Sequence, residues 1–372
     1  MTAPRVLAVT SDGAPASAVT PVLAALEASG LSVRVLDVGR AGSREEGPVG
    51  RFVRAVAGEF AERRLERDVE TNPVDVAVAF EPATVTSLTA IRDASGRPTP
   101  VVAVIADLAP APGWAGTTAD RYLVVDDEAA VALADRGIEG QRILPVGPVT
   151  SFDFVTVAEQ SRASLRGRFK IASDRPVVLI RVDGLGYELS QQIALQLSLR
   201  GSPATYLFDA GTDSEAATAL RRQVPTLDLK AKLFGATTEA AKYWRAADVV
   251  VARPTLAAAS QALMLGCQFV SLMDDDKSGE RLASAVSRRK LGGIAASPLL
   301  LSTTLEALHG AKAAPLEGVD GAGTIADIAF VVGADRDAVI SDNRSGGYAQ
   351  TRARVDRAAA AADAQAKVRQ AP

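Results

Sequence analysis

Short β-branched runs alternate with stretches rich in alanine and leucine along most of this chain, and the alternation limits the folds open to it. The runs predicted to be strands are Val6–Val9, Val33–Val38, Val74–Phe80, Val101–Ala106, Tyr122–Val125, Ile143–Val146, Val177–Val182, Thr205–Phe208, Leu229–Phe234, Val249–Val251 and Phe269–Met273. Strands that alternate with helices are typical of a doubly wound parallel sheet. The sequence therefore predicts an α/β protein with two Rossmann-like domains in tandem.

The length of 372 residues also favours two domains, each with its own core. Gly147-Pro148 closes the first set of strands and a polar stretch precedes the second, so we place the boundary near residue 150. The predicted division is 1–150, 151–335 and an alanine-rich helical tail over 336–372. The tail either packs back on the first domain or stays mobile.

The composition excludes several classes of function. Lys and Arg total 41 and Asp and Glu total 44, so the chain has no broad basic surface for nucleic acid. The single cysteine, Cys267, has no partner for a disulfide and is predicted to be a small core residue. The chain shows no signal peptide and no apolar run long enough to span a bilayer. We expect a cytoplasmic protein with at most peripheral membrane contact.

The segment Ala247–Gly266 carries the clearest functional signal. Its three consecutive valines predict a parallel strand that is buried on both faces. Pro254 ends that strand, and a helix follows at once. Such a strand, tight turn and helix can hold a phosphate at the helix N-terminus.

Several motifs in order resemble the family 28 glycosyltransferases of GT-B fold, which include the monogalactosyldiacylglycerol synthases and the peptidoglycan GlcNAc transferase. The resemblance covers roughly residues 5–310. Besides Ala247–Gly266 it rests on Gly137–Phe152 at the domain crossing and on Val104–Val125, in which the matching positions are Asp107, Leu108, Trp114, Asp120 and Tyr122.

The resemblance implies two Rossmann-like domains that face each other across a cleft, the first on the acceptor side and the second on the nucleotide-sugar side. It also implies inverting transfer of a sugar from a nucleotide diphosphate to a lipid or glycan acceptor. A UDP-sugar is the implied donor, and the family implies no metal or other cofactor. Accordingly we do not expect a metal at Asp274–Asp276.

The chain departs from the family pattern at positions that contact ligand in the family. These are Ala18 in place of a loop His, Thr255-Leu256 in place of Gly-Gly, Gln261 in place of the acid that holds the ribose, and Ala283 in place of Asn. The only histidine, His309, lies far along the chain from any predicted catalytic loop, where a surface or packing role is expected.

The candidate site residues come from the loops that follow predicted strands. Asp12 and Asp107 are weak candidates for a general base, although capping or turn hydrogen bonds also explain them. Gln261 is the candidate ribose contact. Arg253 is either a phosphate contact or a structural cation. The remaining candidates for donor binding are Gly13, Ala14, Ser17, Gly184, Gly186, Thr255, Ser260 and Glu280, while Asp183 would oppose an anion near the two glycines.

Three functions remain open on the sequence, and catalytic activity is uncertain. The first is an active glycosyltransferase with a rearranged site. The second is a catalytically impaired or inactive descendant that binds a nucleotide sugar, a lipid or a protein partner, and the altered residues favour it. The third, a sugar-nucleotide epimerase, is weakened because that chemistry usually needs a histidine near the cleft.

Overall fold

The computed structural model describes residues 3–11, 14–38, 62–96, 99–201, 204–273, 279–308, 316 and 320–334. These residues divide into two compact units, the first formed by those up to Val149 together with 320–334 and the second by those from Thr150 to 316. Each unit contains one six-stranded sheet in which all pairings are parallel. The predicted pair of α/β domains with Rossmann-like sheets is confirmed.

The strands are β1 (Arg5–Thr10), β2 (Ser32–Asp37), β3 (Val76–Ala79), β4 (Val101–Ile105), β5 (Arg121–Val124), β6 (Ile143–Pro145), β7 (Val177–Arg181), β8 (Thr205–Asp209), β9 (Ala231–Phe234), β10 (Val249–Ala252), β11 (Gln268–Leu272) and β12 (Gly292–Ala295). The helices are α1 (Ala16–Ala28), α2 (described over 62–71), α3 (Pro82–Ser95), α4 (Asp127–Ala134), α5 (Phe152–Ala158), α6 (Arg162–Arg168), α7 (Gly186–Arg200), α8 (Ser214–Gln223), α9 (Ala240–Ala246), α10 (Leu256–Met264), α11 (Glu280–Arg288), α12 (Pro298–Ala307) and α13 (Gly321–Ala334).

The first sheet has the strand order β2-β1-β3-β4-β5-β6. Its central strands β3, β4 and β5 are buried at every position. Burial on both faces explains why these strands read as continuous apolar runs rather than as an alternating pattern. Their side chains form the core of the unit together with Leu7, Val9 and Trp114.

The second sheet has the order β12-β11-β10-β7-β8-β9, which is the arrangement of a doubly wound dinucleotide-binding fold. Its core contains Ile180, Tyr206, Phe208 and Val251. The edge strand β12 was not predicted. It is short and begins with two glycines, and a Cβ on Gly292 would lie 1.8 Å from the carbonyl oxygen of Phe269.

The predicted domain limits need one correction. Helix α13, which we assigned to the second domain, packs instead against α1, β1 and β3 of the first unit. Its apolar face is buried there, and a Cβ on Gly321 would lie 2.6 Å from the carbonyl oxygen of Gly147. The predicted tail over 336–372 lies outside the described residues.

Candidate functional site

The candidate site of the second unit lies at the carboxyl ends of β7 and β10. The chain winds outward in opposite directions from this pair of strands, and open α/β sheets bind their ligands at such a switch point. Ile180 is paired with Val251, so both strands end at the same edge of the sheet. The loop after β7 and the turn after β10 therefore lie side by side.

The turn after β10 is arranged as the sequence predicted. Pro254 is buried, and Thr255 caps α10 by accepting the N–H of Ala258 on its side-chain oxygen at 3.2 Å. By helix geometry the N–H groups of Leu256 and Ala257 have no partner inside the helix. Unpaired donors of this kind, with the positive end of the helix dipole, favour an anion.

The other candidates of this segment differ in exposure. Arg253 is exposed directly beyond β10. Ser260 is only 3% exposed, in the second turn of α10. A hydroxyl in that position packs inside the unit, and we do not expect it to reach a phosphate at the helix N-terminus. Gln261 is half-buried, and its side-chain oxygen has no hydrogen-bond partner among the described residues.

Glu280 is brought to the same edge of the sheet by a close backbone approach. Gly279 precedes it with a φ of 77°, and a Cβ there would lie 2.2 Å from the carbonyl oxygen of Pro254. Only glycine combines this φ with this approach. The N-terminus of α11, with the exposed Glu280 as its first residue, therefore lies against the turn that precedes α10.

The glycine loop after β7 departs from the prediction. We expected Gly184 and Gly186 to offer backbone N–H groups to a phosphate. Both glycines have positive φ values, but their N–H groups donate instead to Oδ2 of Asp213, at 3.0 and 3.1 Å. The two donors are thus already taken by a carboxylate from the loop that follows β8.

Burial and hydrogen bonding act in opposite directions on the pKa of Asp213. Desolvation by itself would raise the pKa. Four backbone N–H groups, those of Ala216, Gly186, Gly184 and Glu215, lower it, and the net result is a pKa below the usual value. The side chain is therefore a stable anion beside the glycine loop at neutral pH.

Asp183 also accepts hydrogen bonds from groups near the glycine loop. Its Oδ2 pairs with Arg181 at 2.9 Å, and its Oδ1 accepts the N–H of Thr212 at 3.2 Å. A Cβ on Gly211, which has a φ of 48°, would lie 2.6 Å from Cγ of Asp183. The loops after β7 and β8 therefore interlock through two carboxylates.

A buried carboxylate lies beneath these loops. Oδ2 of Asp209 accepts the indole N–H of Trp244 at 2.9 Å, and Oδ1 accepts the N–H of Gly211 at 3.0 Å. Desolvation raises the pKa of Asp209, although the bond from Trp244 and the charge of Arg181 oppose that effect. Arg181 also lies 5.7 Å above the ring of Trp244. This cluster holds the ends of β7 and β8 together.

In the first unit, the described candidates are Ala14, Ser17 and Asp107. Ser17 is half-buried in the first turn of α1, and the N–H of Ala14 donates to the carbonyl of Ser11 at 3.0 Å. Asp107 is half-buried just beyond β4. Asp12, Gly13, Asp274–Asp276 and His309 all lie outside the described residues.

Ala18, which the resemblance aligns with the family's loop histidine, is only 1% exposed. It lies on the buried face of α1 with Val22 and Leu26. An imidazole at this point would have to enter the core, so the position is a packing position in this chain. None of the described residues supplies an imidazole at this point, because the only histidine of the sequence, His309, lies outside them.

The residues that carry the resemblance around Val104–Val125 have structural contacts. Oδ2 of Asp120 accepts the N–H of Val101 at 2.7 Å and pairs with Arg92 at 2.8 Å. The hydroxyl of Tyr122 accepts the N–H of Ala119 at 2.9 Å. Trp114 is buried in the core. These residues hold the loop between β4 and β5 in place.

Two carboxylates of interest were missed by the sequence reasoning. The sequence does contain one indication for Asp213, because Asp213-Ser-Glu before a helix is typical of an N-cap. Glu81 follows β3 and accepts a hydrogen bond from the hydroxyl of Ser11, which follows β1. Strands β1 and β3 are neighbours at the switch point of the first sheet, and this adjacency is not visible in the sequence.

No group of three or more His, Cys, Asp and Glu side chains among the described residues is placed to hold a metal ion. Among the same residues, no helix has both the length and the apolar character needed to cross a membrane.

Comparison with known proteins agrees with the fold and with the resemblance. The family model for monogalactosyldiacylglycerol (MGDG) synthase matches residues 32–150. No curated protein matches the sequence. CalG4, the calicheamicin glycosyltransferase, superposes with a TM-score of 0.62 at 13% identity, over 93% of this chain and 100% of its own. S. aureus MnaA, solved with UDP, superposes with a TM-score of 0.50 at 10% identity, over 86% of this chain and 94% of its own.

The resemblance drawn from the sequence is confirmed over residues 32–150, where the family model matches. The protein is glycosyltransferase-like, with the α/β fold of the GT-B glycosyltransferases.

Proposed function

We propose that the protein is a catalytically impaired GT-B glycosyltransferase-like protein that binds a nucleotide sugar, with UDP as the nucleotide, and acts in the cytoplasm. Its diphosphate would contact the turn between β10 and α10. Arg253 and Thr255 would contact it by side chain, and the N–H groups of Leu256 and Ala257 by backbone. Gln261 would hold the ribose, and Glu280 lies at the same edge of the sheet.

The observation that carries this proposal is the position of the turn. A capped helix N-terminus lies at the switch point of a doubly wound sheet, which is where such folds bind nucleotides. The side-chain oxygen of Gln261 has no partner among the described residues, and a buried acceptor of this kind gains most from a donor such as a ribose hydroxyl.

Three features support impairment. Ala18 is a packing residue where the family has a histidine. The amides of Gly184 and Gly186 are occupied by Asp213, so they do not stabilise a departing diphosphate in this conformation. The family's acid is replaced by Gln261, whose amide hydrogen-bonds less strongly than a carboxylate. The first two changes remove stabilisation of the transition state, whereas the exchange at Gln261 weakens the contact with the ribose.

The test of binding is a titration of the full chain with UDP, UDP-sugars, ADP and GDP. Calorimetry measures the affinity, and thermal unfolding measures the stabilisation. We expect UDP to bind and to raise the unfolding temperature, because a ligand of the native state stabilises it. Arg253→Ala should weaken UDP binding roughly tenfold. Arg222→Ala, which removes another exposed arginine of the same unit, should not. If none of the nucleotides binds, the proposal is wrong.

An active inverting glycosyltransferase is the second candidate, and one observation favours it. Glu81, at the switch point of the first sheet, is a carboxylate that can act as a general base in place of the missing histidine. The two candidates differ in turnover. We expect no sugar release from UDP-sugars above the buffer rate with lipid or glycan acceptors. Turnover that Glu81→Gln abolishes would establish the second candidate instead.

A further inference from the structure

The glycine loop after β7 forms an anion-binding concavity that is filled by the protein itself. Gly184 and Gly186 both have positive φ values, of 78° and 75°. Backbone N–H groups that converge in this way form a nest that is suited to a phosphate or a carboxylate. In this chain both N–H groups converge on one oxygen of Asp213.

The two oxygens of Asp213 have separate partners. Oδ1 caps α8 by accepting the N–H groups of Glu215 and Ala216, at 3.0 and 2.9 Å. Oδ2 accepts the two glycine N–H groups and contributes nothing to the cap. A residue with one acceptor would therefore be enough to cap α8. The second oxygen serves only the glycine loop.

A diphosphate that entered this loop would have to displace Asp213 and would also meet Asp183. Asp183 accepts the N–H of Thr212, so it is held within the same pair of loops. Both carboxylates repel a phosphate. The turn before α10 shows the opposite character, because an exposed cation, Arg253, lies next to a helix N-terminus.

We propose that Asp213 determines which part of the donor site receives the diphosphate. Its carboxylate takes the place of a ligand phosphate on Gly184 and Gly186, so the glycine loop rejects a diphosphate and the turn before α10 alone receives it. The inference rests on the proposed function for the identity of the ligand, a nucleoside diphosphate. It does not depend on catalysis.

The test uses the full chain labelled with ¹⁵N-glycine, with inorganic pyrophosphate and UDP as probes. In the wild type, the amide signals of Gly184 and Gly186 should not move at millimolar pyrophosphate. Asp213→Asn keeps one oxygen for the cap and presents NH₂ to the glycines, which frees their N–H groups. In this variant both signals should move, and the affinity for pyrophosphate should rise roughly tenfold.

Two further variants keep the result interpretable. Asp126 caps α4 by accepting the N–H of Ala129 at 3.0 Å, so Asp126→Asn is a matched exchange of carboxylate for amide, and it should leave pyrophosphate binding unchanged. If Asp213→Asn does not fold, Asp213→Ser retains a capping hydroxyl and removes the second oxygen. Glycine signals that stay still in every folded Asp213 variant would overturn the proposal.

The outcome is separable from that of the proposed function. If UDP stabilises the wild type without moving the two glycine signals, both proposals stand. If UDP binds the wild type and moves those signals, the role of Asp213 is wrong while the binding function stands. If UDP does not bind the wild type but pyrophosphate moves the signals in Asp213→Asn, the role of Asp213 stands and the binding function fails.

Discussion

Cys267 illustrates how a residue's surroundings determine its chemistry. Its side chain is fully buried, and the thiol donates to the carbonyl oxygens of Trp244 and Ala247 at 3.4 and 3.3 Å. Desolvation raises the pKa of the thiol to about 11, although the neighbouring Arg162 favours the thiolate. The prediction of a small core residue agrees with this position.

We expect Cys267 to be unreactive in the native protein. With a pKa of about 11, roughly one thiol in a thousand is ionised at pH 8, and the thiolate is the reactive form. A colorimetric thiol reagent should therefore react slowly with native protein and at once in guanidinium. Because the chain has no other cysteine, the signal is unambiguous. Stoichiometric reaction of native protein on mixing would contradict the described burial.

The carboxylates show the limit of reasoning from residue type. Asp183 was correctly expected near the glycine loop, because it lies two residues beyond β7. The contact of Asp213 with the same loop joins residues about 27 positions apart, at 3.1 Å for Gly186. Such a contact depends on the pairing of β7 with β8, so capping chemistry alone does not reveal it.

At the scale of elements, α10 is held at both ends. Thr255 caps its N-terminus, and arginines from two other helices bind its C-terminus. Arg162 of α6 donates to the carbonyl oxygens of Leu265 and Gly266, both at 3.2 Å, and Arg245 of α9 also donates to that of Leu265. Cations at a helix C-terminus satisfy unpaired carbonyls and complement the helix dipole.

Arg162→Ala should destabilise the second unit, because it removes the donor to the carbonyl of Gly266 and one of the two donors to that of Leu265. We expect a loss of about 1–3 kcal/mol in the free energy of unfolding. Arg168→Ala is the matched control in the same helix. Arg168 is 54% exposed and pairs with Glu239, so its loss should cost less than about 1 kcal/mol. Denaturant titrations measure both losses of unfolding free energy. Equal losses would argue against stabilisation by the bonds from Arg162 to the end of α10.

The strands that are buried on both faces were predictable from the sequence. All eleven predicted strands are present, with ends that differ by a residue or two. Strand β12 was missed because its residues, Gly292–Ala295, have weak strand propensity. Its pairing with β11 and the close approach of Gly292 to Phe269 supply what local propensity does not.

At the scale of the whole molecule, the first unit is built from two segments that are distant in sequence. Helix α13 follows the second unit along the chain, yet Ile325 is fully buried on α1, β1 and β3 of the first. Val331 of the same helix is 55% exposed. The two tryptophans of the chain report on the units separately, since Trp114 lies in the first and Trp244 in the second.

Ile325→Ala should therefore destabilise the first unit, by about 2–5 kcal/mol, as expected for a buried isoleucine. Unfolding is followed by the fluorescence of Trp114 in a Trp244→Phe background, and by that of Trp244 in a Trp114→Phe background. The transition of Trp114 should move to lower denaturant. Val331→Ala, on the exposed side of α13, should leave it within about 0.5 kcal/mol. A shift seen only with Trp244 would contradict the assignment of α13.

The sequence by itself determined the fold class, the strands buried on both faces, and the strand, turn and helix of Ala247–Gly266. These depend on local patterns, since the apolar run of β10, the proline and the start of the helix lie within a few residues of one another. The tertiary structure decided which groups share an edge of a sheet. Asp213 reaches Gly186, Glu81 reaches Ser11, and α13 joins the first unit because strand pairing and helix packing bring distant segments together. No local pattern encodes those contacts.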